Sequence, residues 1–384
     1  MRQVAVVTGS RADYGLYTPI LRHVRDERSI AVFLLVTGAH LSKEFGFTVQ
    51  EIEADGFEIA ERIDMEVGLD TPEAIARSTG LAVRGFAAAF ARRRPDVLLL
   101  LGDRLEMLAA AVASLPFNIP VAHIHGGEAT EGAIDDAVRH ALTKMSHLHF
   151  VALDAYGDRI VQMGESPWRV TVSGAPGLDH LDGFTPLSRA DLERQHGIHI
   201  ADTTLVVTYH PVTREYGDTA SHMTELLAAL REVAAPVVFT FPNADTSSRV
   251  VIDAVRRYVT DERVAQLAVS LGTRGYLSLM THAAAMVGNS SSGIIEAASF
   301  RLPVVNVGTR QQGRVRGKNV IDVGYSRVEI AGAIRTALTE EFRASLSDLV
   351  NPYGDGHAAE RIVERLKSVP LGDALLRKRF HDAR

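Results

Sequence analysis

Short apolar runs that end in glycine or another turn residue recur along the first half of the chain, with helical patterns between them. The runs lie at 4–7, 30–36, 97–101, 121–125 and 149–152, and a further short strand is predicted at 58–63. The helical patterns lie at 14–25, 42–54, 71–94, 105–115 and 134–146. Most of the runs do not alternate apolar with polar residues, which is typical of parallel strands that are buried on both faces. The first half is therefore predicted to be a doubly wound α/β domain.

The alternation stops between 173 and 202, in a stretch rich in glycine and proline that indicates a domain junction. It resumes with apolar runs at 205–209, 237–241, 264–268, 284–287 and 304–307 and ends in helical segments over 328–366. We therefore predict two Rossmann-like domains, over 1–175 and 200–366, and interpret 367–384 as a tail that packs back on the first domain. Loops at the strand carboxyl ends of two such domains are expected to face a central cleft.

Composition limits the classes of protein that fit this pattern. The chain has 384 residues, 46% apolar and 23% charged, as in an ordinary soluble protein of two domains. A net charge of −6 argues against nucleic-acid binding through an overall positive field. The absence of cysteine excludes disulfides, thiolate nucleophiles and zinc–thiolate sites. No signal peptide and no apolar stretch of roughly 18 residues is present, so we expect a cytoplasmic protein without a membrane partner.

Two turns of the first domain carry charged residues between a strand and a helix. The turn at 9–15 contains Arg11 and Asp13, and its backbone N–H groups and the Arg11 guanidinium suit a phosphate. An ordinary capped turn is the alternative. Asp103 and Arg104 follow the fourth apolar run, where a carboxylate acts either as a helix cap or as a partly buried catalytic group.

The densest group of titratable side chains lies within 123–140. Its members are His123, His125, Glu128, Glu131, Asp135, Asp136, Arg139 and His140. His123 and His125 are predicted on the same side of a strand, because side chains alternate along it. The group suggests an acid/base set, and no helical metal-binding spacing supports a metal site. Pairs four residues apart, such as Asp135 with Arg139, are alternatively plain helix surface pairs.

Two turns of the second domain complete the candidate chemistry. His210 follows the first strand there and is either an acid/base or phosphate-contacting group or a structural loop histidine. Ser290 and Ser291 lie in a serine-rich turn at the start of a helix, where N–H groups and hydroxyls suit a phosphate. Glu296 follows in that helix, in reach of a ribose, and Arg310 follows the next strand. The residues alone thus predict a cleft enzyme that binds a nucleoside diphosphate.

Several motifs together resemble the UDP-N-acetylglucosamine 2-epimerase family, in its hydrolysing branch that feeds sialic-acid-type biosynthesis. The matching stretches are TGSRADYG from Thr8, LGDRLEML from Leu101, HIHGGEATEGAIDDAVRHALTKMSHLHF from His123, TYHPVT from Thr208, FPNADTSS from Phe241 and GNSSSGIIEAASFRLPVVNVGTRQQGR from Gly288. They cover the chain from end to end in the expected order. The resemblance implies the B-type glycosyltransferase architecture, UDP held chiefly by the C-terminal domain, a homodimer or homotetramer, and no metal or other cofactor.

The resemblance also implies residue roles and a reaction. Substrate contacts are expected at Arg11, Arg104, Ser290, Ser291, Glu296 and Arg310, and Asp13 is grouped with Arg11. Acid/base roles are expected at Asp103, Asp135 and His210. His125 and Glu128 are further catalytic candidates. The family commonly has Glu at the position of His125, which leaves open the group that handles the C2 proton. The implied reaction converts UDP-N-acetylglucosamine to N-acetylmannosamine and UDP through a glycal. The same chemistry on a 2,4-diacetamido-trideoxy hexose, a B-type glycosyltransferase and a non-catalytic nucleotide-sugar sensor are the alternatives.

Overall fold

The structure is a computed structural model that describes residues 1–25, 27–44, 46–67, 71–130, 134–241, 248–268 and 271–382. Within these ranges the strands are β1 Arg2–Thr8, β2 Ile30–Thr37, β3 Ile59–Ile63, β4 Val97–Leu101, β5 Val121–Ile124, β6 Leu148–Val151, β7 Val170–Val172, β8 Leu205–Thr208, β9 Val237–Thr240, β10 Ala265–Ala268, β11 Ala285–Gly288, β12 Val304–Val307 and β13 Val320–Val323. The α-helices in the same ranges are α1 Arg11–Arg25, α2 Val49–Ala54, α3 Pro72–Arg92, α4 Leu105–Ser114, α5 Asp135–Met145, α6 Asp154–Gln162, α7 Arg189–His196, α8 Thr219–Val233, α9 Ser248–Asp261, α10 Gly272–His282, α11 Ser291–Ile295, α12 Arg327–Ala337, α13 Glu340–Ser345, α14 Ala358–Ser368 and α15 Asp373–Leu376.

The described strands form two sheets in which neighbouring strands run parallel. The first has seven strands in the order β3-β2-β1-β4-β5-β6-β7, and the second has six in the order β10-β9-β8-β11-β12-β13. Both orders reverse direction once, between β1 and β4 and between β8 and β11, as in the Rossmann fold. The prediction of two doubly wound Rossmann-like units is confirmed.

Helices bury both faces of the first sheet, and β1 shows why its residues need no polar alternation. Val4 and Val6 pack in one apolar cluster with Tyr17 of α1, whereas Ala5 and Val7 pack in another with helices α3 and α4. Successive side chains of a strand point to opposite faces, so a strand covered on both sides must be apolar throughout. The apolar run of β1 is thus explained by its position in the middle of a covered sheet.

The C-terminal helix α14 belongs to the first unit. Contacts divide the chain into one unit of Met1–Glu128, Asp135–His180 and Tyr353–Arg384 and a second of Ala129–Ile134 and Leu181–Pro352. The apolar face of α14 packs in the same cluster as α1, and the Asp179 carboxylate accepts hydrogen bonds from the first two N–H groups of α14, at 2.9 and 2.5 Å. Residues 353–366 therefore lie in the first unit rather than in the second, where the sequence pattern alone places them.

The last described residues also contact the first unit. Lys378 Nζ lies 2.7 Å from the buried carboxylate of Glu165, and the Arg169 guanidinium donates to the carbonyl of Leu375 at 2.9 Å. His381 donates its backbone N–H to the carbonyl of Gly164 at 2.9 Å. Ion pairs and backbone hydrogen bonds thus hold this segment against the end of α6 and the loop that follows it.

Other differences from the predicted elements have local causes. The helix predicted over 42–54 forms only from Val49, because Gly46 and Phe47 take a left-handed backbone, with φ of 91° and 48°. Strands β7 and β13 lie at the sheet edges and are only partly buried, so no continuous apolar run marks them. Among the described residues, no helix combines the length and the hydropathy needed to span a membrane.

Candidate active site

In the first unit, the candidate residues lie where the strand order reverses. β1 and β4 are hydrogen-bonded neighbours whose following helices leave in opposite senses, which opens a ligand crevice at their carboxyl ends in sheets of this kind. Arg11 and Asp13 lie in the first turn of α1, which begins just after β1. Asp103 and Arg104 lie between β4 and α4. The fold therefore brings both predicted turns to one edge of the sheet.

Asp13 and Arg104 share their surroundings with Glu106, which we did not single out from the sequence. Arg104 donates from Nη2 to Glu106 Oε1 at 3.3 Å, and Glu106 is buried. Asp13, also buried, accepts a hydrogen bond from the N–H of Gly9 at 3.3 Å. Burial raises the pKa of Asp13 to about 6, with Arg104 opposing the shift and Glu106 adding to it. The position of Glu106, at the start of the helix after a buried strand, was the available signal.

The shifted pKa of Asp13 makes a testable change in stability with pH. Its ordinary pKa is 3.8, so the folded chain holds the proton more tightly than the unfolded chain. The stabilisation from that proton is complete below pH 3.8 and is lost as the pH rises through 6. Asp13→Asn needs no proton, so we expect it to exceed the wild type in free energy of unfolding above pH 6 by up to about 3 kcal/mol.

Urea unfolding of Asp13→Asn and wild type from pH 4 to 8 measures this difference. The gap should shrink towards zero as the pH falls to 4, because the carboxyl is then protonated in the folded chain and becomes protonated in the unfolded chain as well. Asp202→Asn, at an exposed carboxylate, is the control and should show no such trend. A gap that is absent at pH 8, or that widens on acidification, would contradict the burial argument.

Arg11 lies apart from this buried group. Its Nε is 3.4 Å from Glu51 Oε2, and both side chains are about half exposed, at 47% each. An exposed ion pair of this kind contributes little to stability, so the guanidinium can exchange Glu51 for another anion at small cost. The predicted phosphate contact of Arg11 stays a prediction.

The buried Arg139 joins the acidic residues of the predicted acid/base set. Its guanidinium donates to Asp103 Oδ2 through one terminal nitrogen and to Glu128 Oε2 at 3.2 Å through the other. Burial by itself lowers the pKa of Arg139. The negative charges of Asp103, Glu128 and Asp135 raise it by more, so the pKa of Arg139 lies above its usual value. Asp103, Glu128 and Asp135 thus lie around one buried cation. Glu131, from the same predicted set, lies outside the described residues.

His123 and His125 do not share one side of a strand, contrary to the prediction. β5 ends at Ile124, and His125 takes a left-handed backbone with φ of 64°, which breaks the alternation. His123 is fully buried and bonds through Nε2 to the carbonyl of Gly102 at 2.7 Å, and burial lowers its pKa to about 3. His125 instead lies with Nδ1 2.6 Å from Glu128 Oε1. His123 is therefore a neutral structural support, and His125 belongs to the acidic group.

The other predicted pairs of α5 separate into two kinds. His140 Nε2 lies 3.6 Å from Asp136 Oδ2 in a partly exposed pair four residues apart, as the helix-surface interpretation expects. Arg139 instead donates to Asp103 and Glu128, which follow β4 and β5. Asp136 and His140 therefore form a surface pair, whereas Arg139 has an interior role.

In the second unit, Asn289 organises the turns at the reversal between β8 and β11. Its side chain accepts from the N–H of His210 at 2.7 Å and donates back to the His210 carbonyl at 2.8 Å. Its own carbonyl accepts from Arg310 Nη1 at 3.1 Å and from Gln311 Nε2 at 2.8 Å. Burial, with Arg310 adding to it, holds the pKa of His210 well below its usual value, so the imidazole is neutral. Asn289, which we did not single out, joins two predicted residues, His210 and Arg310.

The serine turn lies beside these residues and is ordered by its own hydroxyls. Ser290 Oγ accepts from the N–H of Ser292 at 3.3 Å and caps α11, whose first residue is Ser291. Tyr276 is partly buried beside the turn. Desolvation raises its pKa to about 12, and hydrogen bonds with the hydroxyls of Ser292, Thr208 and Ser290 oppose the rise. Glu296 ends α11 and lies close enough to influence the charge of Tyr276. The structure thus brings Ser290, Ser291 and Glu296 together.

A tyrosine–glutamate pair positions the loop that carries Arg310. The Tyr325 hydroxyl donates to Glu215 Oε2 and accepts from the N–H of Thr309 at 3.2 Å, and Thr309 donates to Glu215 Oε1 at 2.7 Å. Gly308 packs so closely on the Tyr325 ring that a Cβ there would come within 2.2 Å of it. The sequence carries no local signal for this pair, because Glu215 and Tyr325 are far apart along the chain.

The motif FPNADTSS, predicted from the resemblance, lies mostly in 242–247, outside the described residues. In the part of the chain that the structure describes, no group of three or more His, Asp and Glu side chains is placed to hold a metal ion.

Comparisons with known proteins place these features in a family. The family model described as UDP-N-acetylglucosamine 2-epimerase matches residues 22–367. The chain is 38% identical to the UDP-N,N'-diacetylbacillosamine 2-epimerase (hydrolyzing) of Legionella pneumophila, over 98% of this chain and 99% of that one. It is 36% identical to the GDP/UDP-N,N'-diacetylbacillosamine 2-epimerase (hydrolyzing) of Campylobacter jejuni, over 99% of each chain. It is 30% identical to a UDP-N-acetylglucosamine 2-epimerase of Neisseria meningitidis, over 100% of this chain and 99% of that one.

A solved structure agrees with the fold. The crystal structure of UDP-GlcNAc 2-epimerase from Neisseria meningitidis bound to UDP-GlcNAc aligns with a TM-score of 0.80 at 19% identity, over 95% of this chain and 99% of that one. At that identity the likeness shows the fold, which is the predicted B-type glycosyltransferase class. By its family model and its full-length relatives, the chain belongs to the UDP-N-acetylglucosamine 2-epimerase family.

Proposed function

We propose that this protein is a hydrolysing 2-epimerase that acts on a UDP-linked 2,4-diacetamido-trideoxy hexose of the N,N'-diacetylbacillosamine type. The coarser activity, hydrolytic 2-epimerisation of a UDP-linked sugar, follows from the family. The choice of this sugar is supported by the full-length identity, 38% and 36%, to two relatives whose names give that sugar. The relative named for UDP-N-acetylglucosamine is 30% identical, so that sugar is the second candidate.

The reaction consists of an elimination and a hydration. A base removes the C2 proton, the C1–C2 double bond forms, and the C1–O bond breaks with its electron pair leaving on UDP. Water then adds its oxygen to C1, and C2 receives a proton on the opposite face. The products are UDP and the free sugar inverted at C2, so no redox step is needed. Asp103 and Asp135 supply acid/base groups for these proton transfers.

The second unit supplies the groups that take the leaving diphosphate. Ser290 and Ser291 lie at the start of α11, beside Arg310 and the neutral His210. N–H groups, hydroxyls and a guanidinium stabilise the charge that develops on a departing phosphate. Glu296, at the end of the same helix, takes the ribose hydroxyls. Arg11, Asp13 and Arg104 of the first unit are the remaining proposed substrate contacts.

Arg310→Ala is expected to weaken UDP binding by about tenfold or more, because it removes a charge-assisted contact to the diphosphate. Asn289 keeps its side-chain bonds to His210 in this variant, so the turn after β8 should persist. Titration calorimetry with UDP measures the change. Arg335→Ala, at an exposed ion pair of the same unit, is the control and should bind as the wild type does. Equal affinity of the Arg310→Ala variant would remove Arg310 from the nucleotide site.

The substrate is tested by incubating the purified protein separately with UDP-N,N'-diacetylbacillosamine, its GDP counterpart and UDP-N-acetylglucosamine. The proposal expects UDP and the free C2-inverted diacetamido sugar, with the highest kcat/KM for the first compound. A higher kcat/KM for UDP-N-acetylglucosamine would instead identify that compound, the second candidate, as the substrate. Release of UDP only after an acceptor is added would indicate a glycosyltransferase, and no turnover of any of them would overturn the proposed function.

A further inference from the structure

The left-handed backbone of His125 is unusual for a residue with a side chain. Its φ of 64° lies in the left-handed region, which only a few per cent of residues other than glycine adopt, asparagine, aspartate and histidine more often than the rest. Such conformations persist where the surroundings impose them, and they concentrate at functional sites. Directly after β5, this backbone turns the His125 side chain out of the strand pattern and onto Glu128.

The contact with Glu128 determines which ring nitrogen of His125 holds the proton. Glu128 is 1% exposed, and its second oxygen accepts from Arg139 at 3.2 Å. A carboxylate that accepts from a guanidinium is ionised and can only accept. The 2.6 Å contact therefore requires His125 to donate from Nδ1. In the neutral imidazole, Nε2 then carries the lone pair.

Arg139 fixes this arrangement from behind. Its two terminal nitrogens hold Glu128 and Asp103 at once, so Glu128 cannot rotate away without breaking a buried ion pair. The His125 side chain is 10% exposed, so most of the ring is buried and a small part of it stays accessible. We propose that His125 is a catalytic base that takes the sugar C2 proton on Nε2, and that Glu128 and Arg139 are positioning residues that fix its tautomer. This rests on the proposed function.

The step balances with the elimination above. Nε2 gains the C2 proton and the ring becomes an imidazolium, whose positive charge Glu128 stabilises through Nδ1–H. The C–H electron pair becomes the second C1–C2 bond, and UDP leaves with the C1–O pair. C2 then receives a proton on its other face from the proposed acid/base carboxyl groups, Asp103 and Asp135.

Two other buried histidines of the first unit, His123 and His149, are held differently. His149 is fully buried and lies 3.4 Å from Glu165, whose carboxylate is also bound by Lys144 and Lys378. His123 is bonded to a backbone carbonyl. Because Glu165 and Glu128 are both 1% exposed and both contact a histidine, Glu165→Gln is a matched control for Glu128→Gln.

His125→Gly tests the catalytic role directly. Glycine accepts the left-handed backbone without strain, so the variant is expected to fold and to bind UDP as the wild type does. Its turnover should fall by at least roughly a hundredfold. Free imidazole should then raise that turnover at least about tenfold over buffer, because it supplies the missing base.

Glu128→Gln tests the positioning role. The glutamine oxygen must face Arg139, so its NH2 faces His125 Nδ1 and moves the ring proton to Nε2, where the lone pair is needed. We expect kcat to fall by at least roughly a hundredfold, with KM within about threefold, as for a wrong tautomer in other histidine catalysts. Glu165→Gln should keep kcat within about threefold, and imidazole should not rescue Glu128→Gln.

The outcomes separate the two proposals. If the wild type turns over none of the nucleotide sugars, the proposed function fails and this inference fails with it. If the wild type is active and His125→Gly keeps turnover within about tenfold, only this inference is overturned. It is also overturned if Glu128→Gln matches Glu165→Gln, or if folded His125→Gly that binds UDP gains nothing from imidazole.

Discussion

Asp135→Asn and Asp103→Asn are each expected to fold, to bind UDP with near wild-type affinity, and to lose turnover by at least roughly a hundredfold. Asparagine keeps the size of the side chain and removes only the ability to take or give a proton. At Asp103 it also keeps an oxygen that can accept from Arg139, so the buried guanidinium retains a partner there. A residue that merely capped a helix would cost about 1 kcal/mol of stability and leave turnover nearly intact.

Asp136→Asn is the control for this experiment, because Asp136 follows Asp135 in α5 and pairs with His140 on the helix surface at 3.6 Å. Its turnover is expected to stay within about twofold of wild type. Turnover with the nucleotide sugar and UDP titration, measured on all three variants, separate catalysis from binding. If Asp103→Asn and Asp135→Asn both stay within about tenfold of wild type, their acid/base assignment is wrong.

Arg139→Ala is expected to lower the free energy of unfolding by about 3–5 kcal/mol. Arg139 is 2% exposed and pairs with Asp103 and with Glu128, which is 1% exposed. Its removal leaves two carboxylates close together, one fully buried, without the cation that offsets their desolvation. Chemical denaturation followed by a signal from the first unit measures the loss.

Arg194→Ala provides the comparison, since Arg194 is 70% exposed and pairs with Asp191 three residues away. Exposed pairs of this kind contribute about 0.2–1 kcal/mol. If Arg139→Ala lowers the free energy of unfolding as little as Arg194→Ala does, the buried cation is dispensable for stability. The positioning role proposed for Arg139 would then have no structural basis.

Hydrophobic patterning predicted the two sheets because most of their strands are covered on both faces and must be apolar throughout. β4 and β12 have the predicted bounds, 97–101 and 304–307. The edge strands β7 and β13 escaped prediction because half-exposed residues do not form a continuous apolar run. Patterning also did not predict that α14 belongs to the first unit, because its contact with α1 joins the two ends of the chain.

Part of the candidate site could also be predicted, since the carboxyl ends of parallel strands are the places where polar residues meet. The turns with Asp103, His125, His210 and Ser290 were identified in this way. Their partners depend on contacts across the sequence: Arg139 reaches back to Asp103, and Asn289 reaches back to His210. The expected pairing of His123 with His125 failed because a single left-handed residue ended the alternation.

The most direct test of the central claim is the reaction of UDP-N,N'-diacetylbacillosamine in D2O, followed by NMR. Elimination and hydration predict three results together: UDP is released, the free sugar is inverted at C2, and its C2 carries deuterium from the solvent. A product that keeps its original C2 hydrogen would contradict the account, as would a sugar that leaves UDP only in the presence of an acceptor.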